Sequence, residues 1–260
     1  MIDVRATRGG SLWRGPLYDL DVDTTEQPSR ATDARTAAVD WRPQQFGRGR
    51  PNKVENPIVE PLWSGLRVLA LVDDGAVTIR DLDGDPVDDD YAPVAQELAA
   101  ASRASRMLID GYLTHQPVQG IAEVAQRELA EPAGPSIGQM WFGSLAGRRN
   151  RPEPPPPLES IERRAPPLDE DVAIVVVDLL WLENEPLLSV PLLERKRILE
   201  SVVDESRLVR RGIYVRPPID SWMGSWRAFG FRRLAFKGAN SRYMPGAPNA
   251  EWAVADLPPR

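Results

Sequence analysis

The stretch Glu60-Pro61-Leu62-Trp63-Ser64-Gly65-Leu66-Arg67 carries a glutamate, a glycine and an arginine at fixed offsets, just ahead of a strand-like run. That run, Leu66-Arg-Val-Leu-Ala-Leu-Val72, is nearly continuous in apolar residues. Asp73-Asp74-Gly75 and then Ala76-Val-Thr-Ile-Arg80 follow it. Two β-rich runs around an Asp-Asp-Gly turn predict a β-hairpin. Asp83-Gly84-Asp85-Pro86 marks a second turn. Tyr91 to Ser105 then predicts a helix with Val94, Leu98 and Ala101 on one face, and Met107 to Leu113 returns to strand character.

Further along, Val172 to Leu182 is the strongest strand signal in the chain, β-branched and apolar enough for a buried central position. Pro191 opens a helix that runs to about Glu205, because a proline in the first turn gives up a hydrogen bond that has no partner there. Its buried face is Leu192, Leu199, Val202 and Val203, with Glu194, Arg195 and Arg197 outside. Ile213 to Val215 reads as a short strand, followed by a helix capped by Asp220 that carries Trp222, Trp226 and Phe229 at i, i+4 and i+7, the two tryptophans reading as core anchors. Phe231–Phe236 and Glu251–Leu257 supply the last strands, around a turn at Gly238–Gly246. Strands joined by hairpins and longer crossings, with helices between, define an α+β domain with mainly antiparallel sheets flanked by helices.

The flanks are less regular. Residues 1–57 mix Gly, Pro, Arg and Asp with the isolated aromatics Trp13, Tyr18, Trp41 and Phe46, and read as an irregular N-terminal arm. Its basic segment RPQQFGRGRPNK reads as a solvated linker in preference to a nucleic-acid contact. A short helix is expected over Ile121–Leu129, and a Pro/Gly-rich insertion spans 131–170. The four prolines Pro154 to Pro157 favour extended backbone. The apolar Met140-Trp141-Phe142 cluster either folds back onto the body or presents a docking spot for a partner.

A chain of 260 residues can bury a sizeable core in one large domain or two small ones. The net charge of −6 argues against a chain built mainly to grip nucleic acid, though it allows a local basic face. The absence of cysteine excludes disulfides, thiolate metal sites and cysteine nucleophiles. Without an apolar leader or a run long enough to span a bilayer, the expected setting is cytoplasmic, with no membrane partner. His115, the one histidine, reads as a loop residue. Of 32 basic residues only Lys53, Lys196 and Lys237 are lysines. Arginine stays protonated and is no nucleophile at neutral pH, so amine chemistry has three candidates.

From Pro57 to Leu257, motif order and spacing resemble the adenylation domain of ATP-dependent DNA ligases and related covalent nucleotidyltransferases. The first family motif reads Glu-x-Lys-x-Asp-Gly-x-Arg. Here Leu62 stands at the nucleophilic lysine and Ser64 at the aspartate, while Glu60, Gly65 and Arg67 match. Met107-Leu-Ile-Asp110-Gly111-Tyr112-Leu113 is similar to the Leu-Asp-Gly-Glu-Leu strand, with Tyr112 replacing the glutamate that serves ribose and metal. Val177-Asp178-Leu179-Leu180 is similar to Phe-Asp-Leu-Leu, with Val177 replacing the adenine-stacking aromatic. The helix opening at 191–197 resembles the family's closely. Arg232-Arg-Leu-Ala-Phe-Lys237 aligns with Glu-Gly-x-Val-x-Lys, placing Arg232 at a metal-linked glutamate. Lys237-Gly-Ala-Asn-Ser241-Arg-Tyr243-Met-Pro245-Gly246 follows the family's Lys-x-x-Asp-Ser-x-Tyr-x-Pro-Gly turn and is the most specific match. In the last motif, Val254 and Asp256 stand where Trp-x-Lys-x-Lys has lysines.

The resemblance implies a DNA-ligase-like nucleotidyltransferase fold over 58–260 whose reaction parts are missing. Lysine adenylation needs an in-line amine, carboxylates on a divalent metal, and cations facing the leaving pyrophosphate. No catalytic residue and no metal ligand is therefore assigned, and ATP and Mg²⁺ are the ligands an intact member would take. Glu60, Arg67 and Lys237 fall where the family contacts adenine, ribose and phosphate and are the candidates for residual nucleotide binding; otherwise they are exposed or edge charges. Asp110 and Asp178 are expected to serve turn and strand-end hydrogen bonds. The family's following OB-fold domain is not expected in a chain that stops at Arg260. The expected role is a catalytically degenerate binding or scaffold module linked to DNA repair, with a protein partner or a DNA end as its ligand and its oligomeric state left open. Two alternatives stand beside it: a divergent active ligase that forms lysine-AMP through Lys53, and a non-covalent nucleotide sensor.

Overall fold

The computed structural model describes residues 33–116, 162–168 and 171–257. The expectations for residues 1–32, the 121–129 helix, the Met140–Phe142 cluster and the proline run lie outside them. The described chain begins with helix α1 (Ala34–Asp40), where the Asp33 carboxylate accepts from the Thr36 N–H at 2.9 Å and caps the first turn. Residues 34–57 therefore depart from the irregular arm expected of them. Ala34, Ala37 and Ala38 are buried at helical spacing and Trp41 packs on Trp181 with ring centroids 6.0 Å apart. Alanine gives little hydrophobic contrast, so the period is faint in the sequence while the small side chains let the helix sit close to the sheet.

After β1 (Gln45–Phe46), a single 3₁₀ turn at Pro51–Lys53 leads into β2 (Pro57–Pro61). The hairpin follows as β3 (Leu66–Asp73) and β4 (Ala76–Arg80). Asp73 and Ala76 pair, so the loop is Asp74-Gly75, whose φ values of 49° and 84° belong to the primed turn that matches strand twist. Then come α2 (Ala92–Ala101), β5 (Arg106–Thr114), β6 (Ala173–Leu182), β7 (Glu185–Pro186), α3 (Leu192–Val202), β8 (Val209–Arg211), α4 (Asp220–Ala228), β9 (Arg233–Gly238), β10 (Pro248–Asn249) and β11 (Trp252–Asp256).

The larger sheet runs β4-β3-β5-β6-β7, antiparallel throughout, with β8 alongside β6 in parallel. A second sheet, β11-β9-β2, is antiparallel, and β1 pairs with β10. β3, β5 and β6 are buried on both faces, which explains their continuous apolar sequences. One face, with Val68, Ala70, Met107, Ile109, Ile174 and Val176, packs with Val94 and Leu98 of α2 and Leu199 of α3. The opposite face carries Leu69, Leu71 and Leu108 toward the alanines of α1 and Trp252. It also carries Tyr112, Val175 and Val177 toward the second sheet and α4.

Three further expectations are corrected. Ile213–Val215 is not a strand of its own: β8 lies four residues earlier, and Val215 makes an isolated bridge to Val59. The residue before α4 is Ile219, without a side-chain cap, and Asp220 occupies the first turn instead. Of the two tryptophans read as core anchors, only Trp226 is buried, whereas Trp222 is 42% exposed, as Phe229 is at 41%. The helix is 9 residues long, so its middle covers the core while Trp222 and Phe229 stand at its two ends.

Candidate functional site

The eight buried charged side chains among the described residues are Glu60, Arg67, Asp110, Glu162, Asp178, Arg195, Lys196 and Lys237, none more than 6% exposed. They come from both sheets, α3 and the 162–168 segment. Four are cations and four are carboxylates.

Glu60 on β2 is the hub of the first group. Its Oε1 lies 2.7 Å from Lys196 Nζ and its Oε2 accepts from Lys237 Nζ at 2.9 Å. Lys196 Nζ also donates to the Val177 carbonyl at 2.8 Å, and Lys237 Nζ stands 4.4 Å from the centroid of the Trp252 ring. Burial pushes the Glu60 carboxyl up, and the ammonium charges of Lys196 and then Lys237 more than reverse this, holding it below the usual carboxylate range. Burial pulls Lys237 below the ordinary lysine value, opposed by Glu60.

Arg67 on β3 is the hub of the second. Its Nε and Nη2 donate to the two oxygens of Asp110 at 3.1 and 2.8 Å, and its Nη1 donates to Glu162 Oε1 at 3.0 Å. The same Glu162 oxygen accepts from the Tyr112 hydroxyl at 2.8 Å. Burial, opposed by the Arg67 charge and reinforced by Glu162, raises the Tyr112 phenol well above its ordinary value, so it is a donor. Burial, the largest influence, would lower Arg67, but Asp110 together with its other neighbours, Glu162 among them, more than reverses this and keeps the guanidinium charged. Asp110 also accepts from the Tyr243 hydroxyl at 2.7 Å, and that hydroxyl accepts from the Gln44 N–H at 2.9 Å.

The third group joins Asp178 on β6 to Arg195 on α3, through two hydrogen bonds of 2.8 Å each. Both side chains are fully buried. Arg195 was expected outside and Asp178 at a strand end. Both instead tie α3 to the sheet, since an Arg on the inner side of a helix can reach a carboxylate on the sheet bidentately. Likewise Asp110 is a mid-strand ion-pair partner, and Glu60, Arg67 and Lys237 are buried, not exposed or edge charges.

The replaced motif positions gather elsewhere in the same region. Leu62, Tyr112 and Val177 lie in one apolar cluster with Trp63, Trp226 and Phe231, and the partly buried Val254 packs against it. Trp63 and Phe231 meet edge to face at 4.8 Å. Ser64 offers its backbone N–H to the Gln116 side chain at 3.0 Å. Arg232 is exposed. Asp256, facing Arg233 across the β11–β9 ladder, pairs with it at 3.2 Å. The motif glycine Gly65 is fixed by close approach: a Cβ there would stand 2.2 Å from the Leu113 carbonyl oxygen. Lys53 is exposed at the end of the 3₁₀ turn, outside the buried set.

No cluster of three or more His, Asp or Glu side chains that could hold a metal occurs among the described residues. At the two positions where the family resemblance implies metal-linked acids, the chain carries the Tyr112 phenol and the Arg232 guanidinium, neither of which ligates Mg²⁺. Nothing in the local sequence marks the buried ion pairs of Glu162, Lys196 or Arg195, because their partners lie up to 136 positions away.

The two-sheet body has the fold of DNA-ligase-type nucleotidyltransferase domains, the fold that the motif order implies. No protein-family model matches it. It is similar to the multifunctional non-homologous end joining protein LigD of Mycolicibacterium smegmatis, 27% identical over 195 residues; the match covers 74% of this chain and 20% of that protein. The ligase domain of M. tuberculosis LigD has the same fold, with a TM-score of 0.55 at 20% identity over 83% of this chain and 59% of the other. A mycobacterial DNA ligase D complexed with ATP and MES matches with a TM-score of 0.52 at 21% identity, over 82% of this chain and 58% of the other. The chain thus spans about a fifth of the curated relative's length. Among the described residues no helix is long and apolar enough to cross a membrane.

Proposed function

We propose that this domain keeps the ligase fold without lysine-adenylate chemistry and works as a non-covalent binding or scaffold module in DNA repair, in the cytoplasm. The observation that carries this is the packing of Leu62, Tyr112 and Val177 into a single apolar cluster beside a buried ionic network that needs no ligand for charge balance. A nucleophile, a metal-linked acid and a base-stacking ring are replaced together by side chains that pack on one another. A missing contact of this kind costs several kcal/mol of transition-state stabilisation, and their joint loss leaves no usable rate. The link to DNA repair, and a DNA end or protein partner as ligand, follow from the likeness to an end-joining ligase.

Incubation of the purified protein with α-labelled ATP or GTP and Mg²⁺ or Mn²⁺ tests the proposal. No covalent label is expected. A label abolished by Lys53→Ala would overturn it in favour of a divergent ligase. A second reading, a nucleotide sensor, has one observation in its favour: two of the three candidate residues, Glu60 and Lys237, are in direct contact. It predicts thermal stabilisation by millimolar ATP without an adduct.

A further inference from the structure

The eight buried charges among the described residues balance only because one of them comes from outside the sheets and helices. Seven stand on β2, β3, β5, β6, β9 and α3, four cations against three carboxylates, an excess of one positive charge. Glu162 supplies the fourth carboxylate, and the 162–168 segment brings it in. A buried charge without a counter-ion is costly, so the body requires an anion at this point and the chain provides its own.

The seat of that carboxylate is built by the sheet. Arg67 and Tyr112 are partners across the β3–β5 ladder and so share a sheet face. Asp110 grips Nε and Nη2 of Arg67, which fixes the guanidinium and leaves Nη1 for another acceptor. Nη1 and the Tyr112 hydroxyl then converge on one oxygen, Glu162 Oε1, at 3.0 and 2.8 Å. Of the two carboxylates on Arg67, Asp110 is fully buried while 8% of the Glu162 side chain is exposed, so Glu162 is the outer one.

The segment that carries it has little apolar hold on the body. Within residues 162–168 only Glu162 and Pro166 are buried, and Leu168 is 61% exposed. Its attachments include the backbone bridge of Arg163 to Leu66, the Tyr91 hydroxyl donating to the Pro166 carbonyl at 3.2 Å, and the exposed Arg163–Asp83 pair. Exposed pairs contribute little, and a segment that buries so little apolar surface opens at low local cost.

We propose that Glu162 is an internal stand-in for a phosphate group: the 162–168 segment closes a latent oxyanion site on Arg67 and Tyr112, and a phosphate-bearing ligand enters by displacing it. Carboxylate and phosphate oxygens accept from the same pair of donors, and a phosphate supplies the negative charge that departs with Glu162. The contact is autoinhibitory, since affinity is reduced by the fraction of molecules in which the seat is open. No covalent bond forms or breaks, so the site stands apart from the adenylate chemistry and does not depend on its loss.

Isothermal titration calorimetry of the full chain with inorganic phosphate, and separately with ATP, tests it, both without divalent metal. Glu162→Ala should bind at least one of them about tenfold or more tighter than the wild type, the gain when the open seat is populated one part in ten or less. Binding of both assigns the site to a phosphate group in any setting, and binding of ATP alone assigns it to a nucleotide. Tyr112→Phe placed on Glu162→Ala removes one donor and should weaken binding by about two- to tenfold. Thermal unfolding verifies each fold, and Glu162→Gln, which keeps the shape and removes the charge, replaces Glu162→Ala if the latter does not fold. Where the wild type binds, hydrogen exchange within 163–168 should quicken relative to sodium chloride of equal ionic strength. Equal affinity of wild type and folded variant, no binding of either ligand by the folded variant, or binding to the wild type with unchanged exchange within 163–168 would overturn the proposal.

Discussion

Replacing Glu60 by glutamine keeps the shape of the side chain and removes the one carboxylate that lies between Lys196 and Lys237. Both ammonium groups sit within 3 Å of it, and all three residues are at most 3% exposed. Breaking a buried ion pair by removing one partner costs about 3–5 kcal/mol. Burial already holds Lys237 below the ordinary lysine value against the pull of Glu60, and losing that counter-charge lowers it further, which eases the cost of leaving the site unpaired, so the lower figure applies here. For a domain of this size about 1 kcal/mol moves Tm by roughly 2–4 °C. Glu60→Gln should therefore lower Tm by about 6–12 °C at pH 7, measured by circular dichroism and checked by urea denaturation. In the variant the unfolded chain binds more protons at Lys237 than the folded one. Its deficit should accordingly shrink as pH rises from 7 toward the ordinary lysine range. Adding Lys237→Met should recover part of the loss, with a coupling of at least about 1 kcal/mol. A fall of less than about 2 °C would refute the reasoning. It would mean that the lysines face water or a ligand-sized opening, as in a working nucleotide pocket, and are not neutralised by Glu60.

Other outcomes follow from the same geometry. Leu62→Lys restores the family's amine inside an apolar cluster; it should destabilise the fold and still yield no label with α-labelled ATP, and a label would show that the reaction parts are intact. Tyr112→Phe deletes the donor to Glu162 and should cost about 1–3 kcal/mol by urea titration. Glu60 ionises below its unfolded value, so its stabilisation is present above the ordinary glutamate range and disappears as pH falls through the folded value. Urea midpoints between pH 7 and pH 3 should show a component of acid loss that Glu60→Gln lacks. Trp226→Ala should cost about 3–5 kcal/mol and Trp222→Ala well under half of that, because only the first ring is buried.

The strands, the hairpin and the motif frame were readable in the sequence because they depend on local apolar pattern and on turn chemistry at Asp74-Gly75. The helix of residues 34–40 was not, since three buried alanines among polar neighbours give no contrast. The Ser241-x-Tyr243 turn was recognisable as the most specific match, and its geometry explains why those residue types fit: Ser241 Oγ accepts from Trp252 Nε1 at 2.9 Å and Tyr243 reaches Asp110. The pairing of Glu60 with Lys196, or of Arg67 with Glu162, could not be read in advance. Such partners are set by how two sheets and a helix close on one another, and no spacing along the chain encodes it.

Gln116 and Arg163 bracket the long stretch that separates β5 from the return to the sheet. Gln116 accepts from the Ser64 N–H, and Arg163 bridges to Leu66, so both ends are fastened at the head of the same strand, two residues apart. The head of β3 is thus where the chain is fastened on both sides of residues 117–161, and the register of the larger sheet is anchored at that one point.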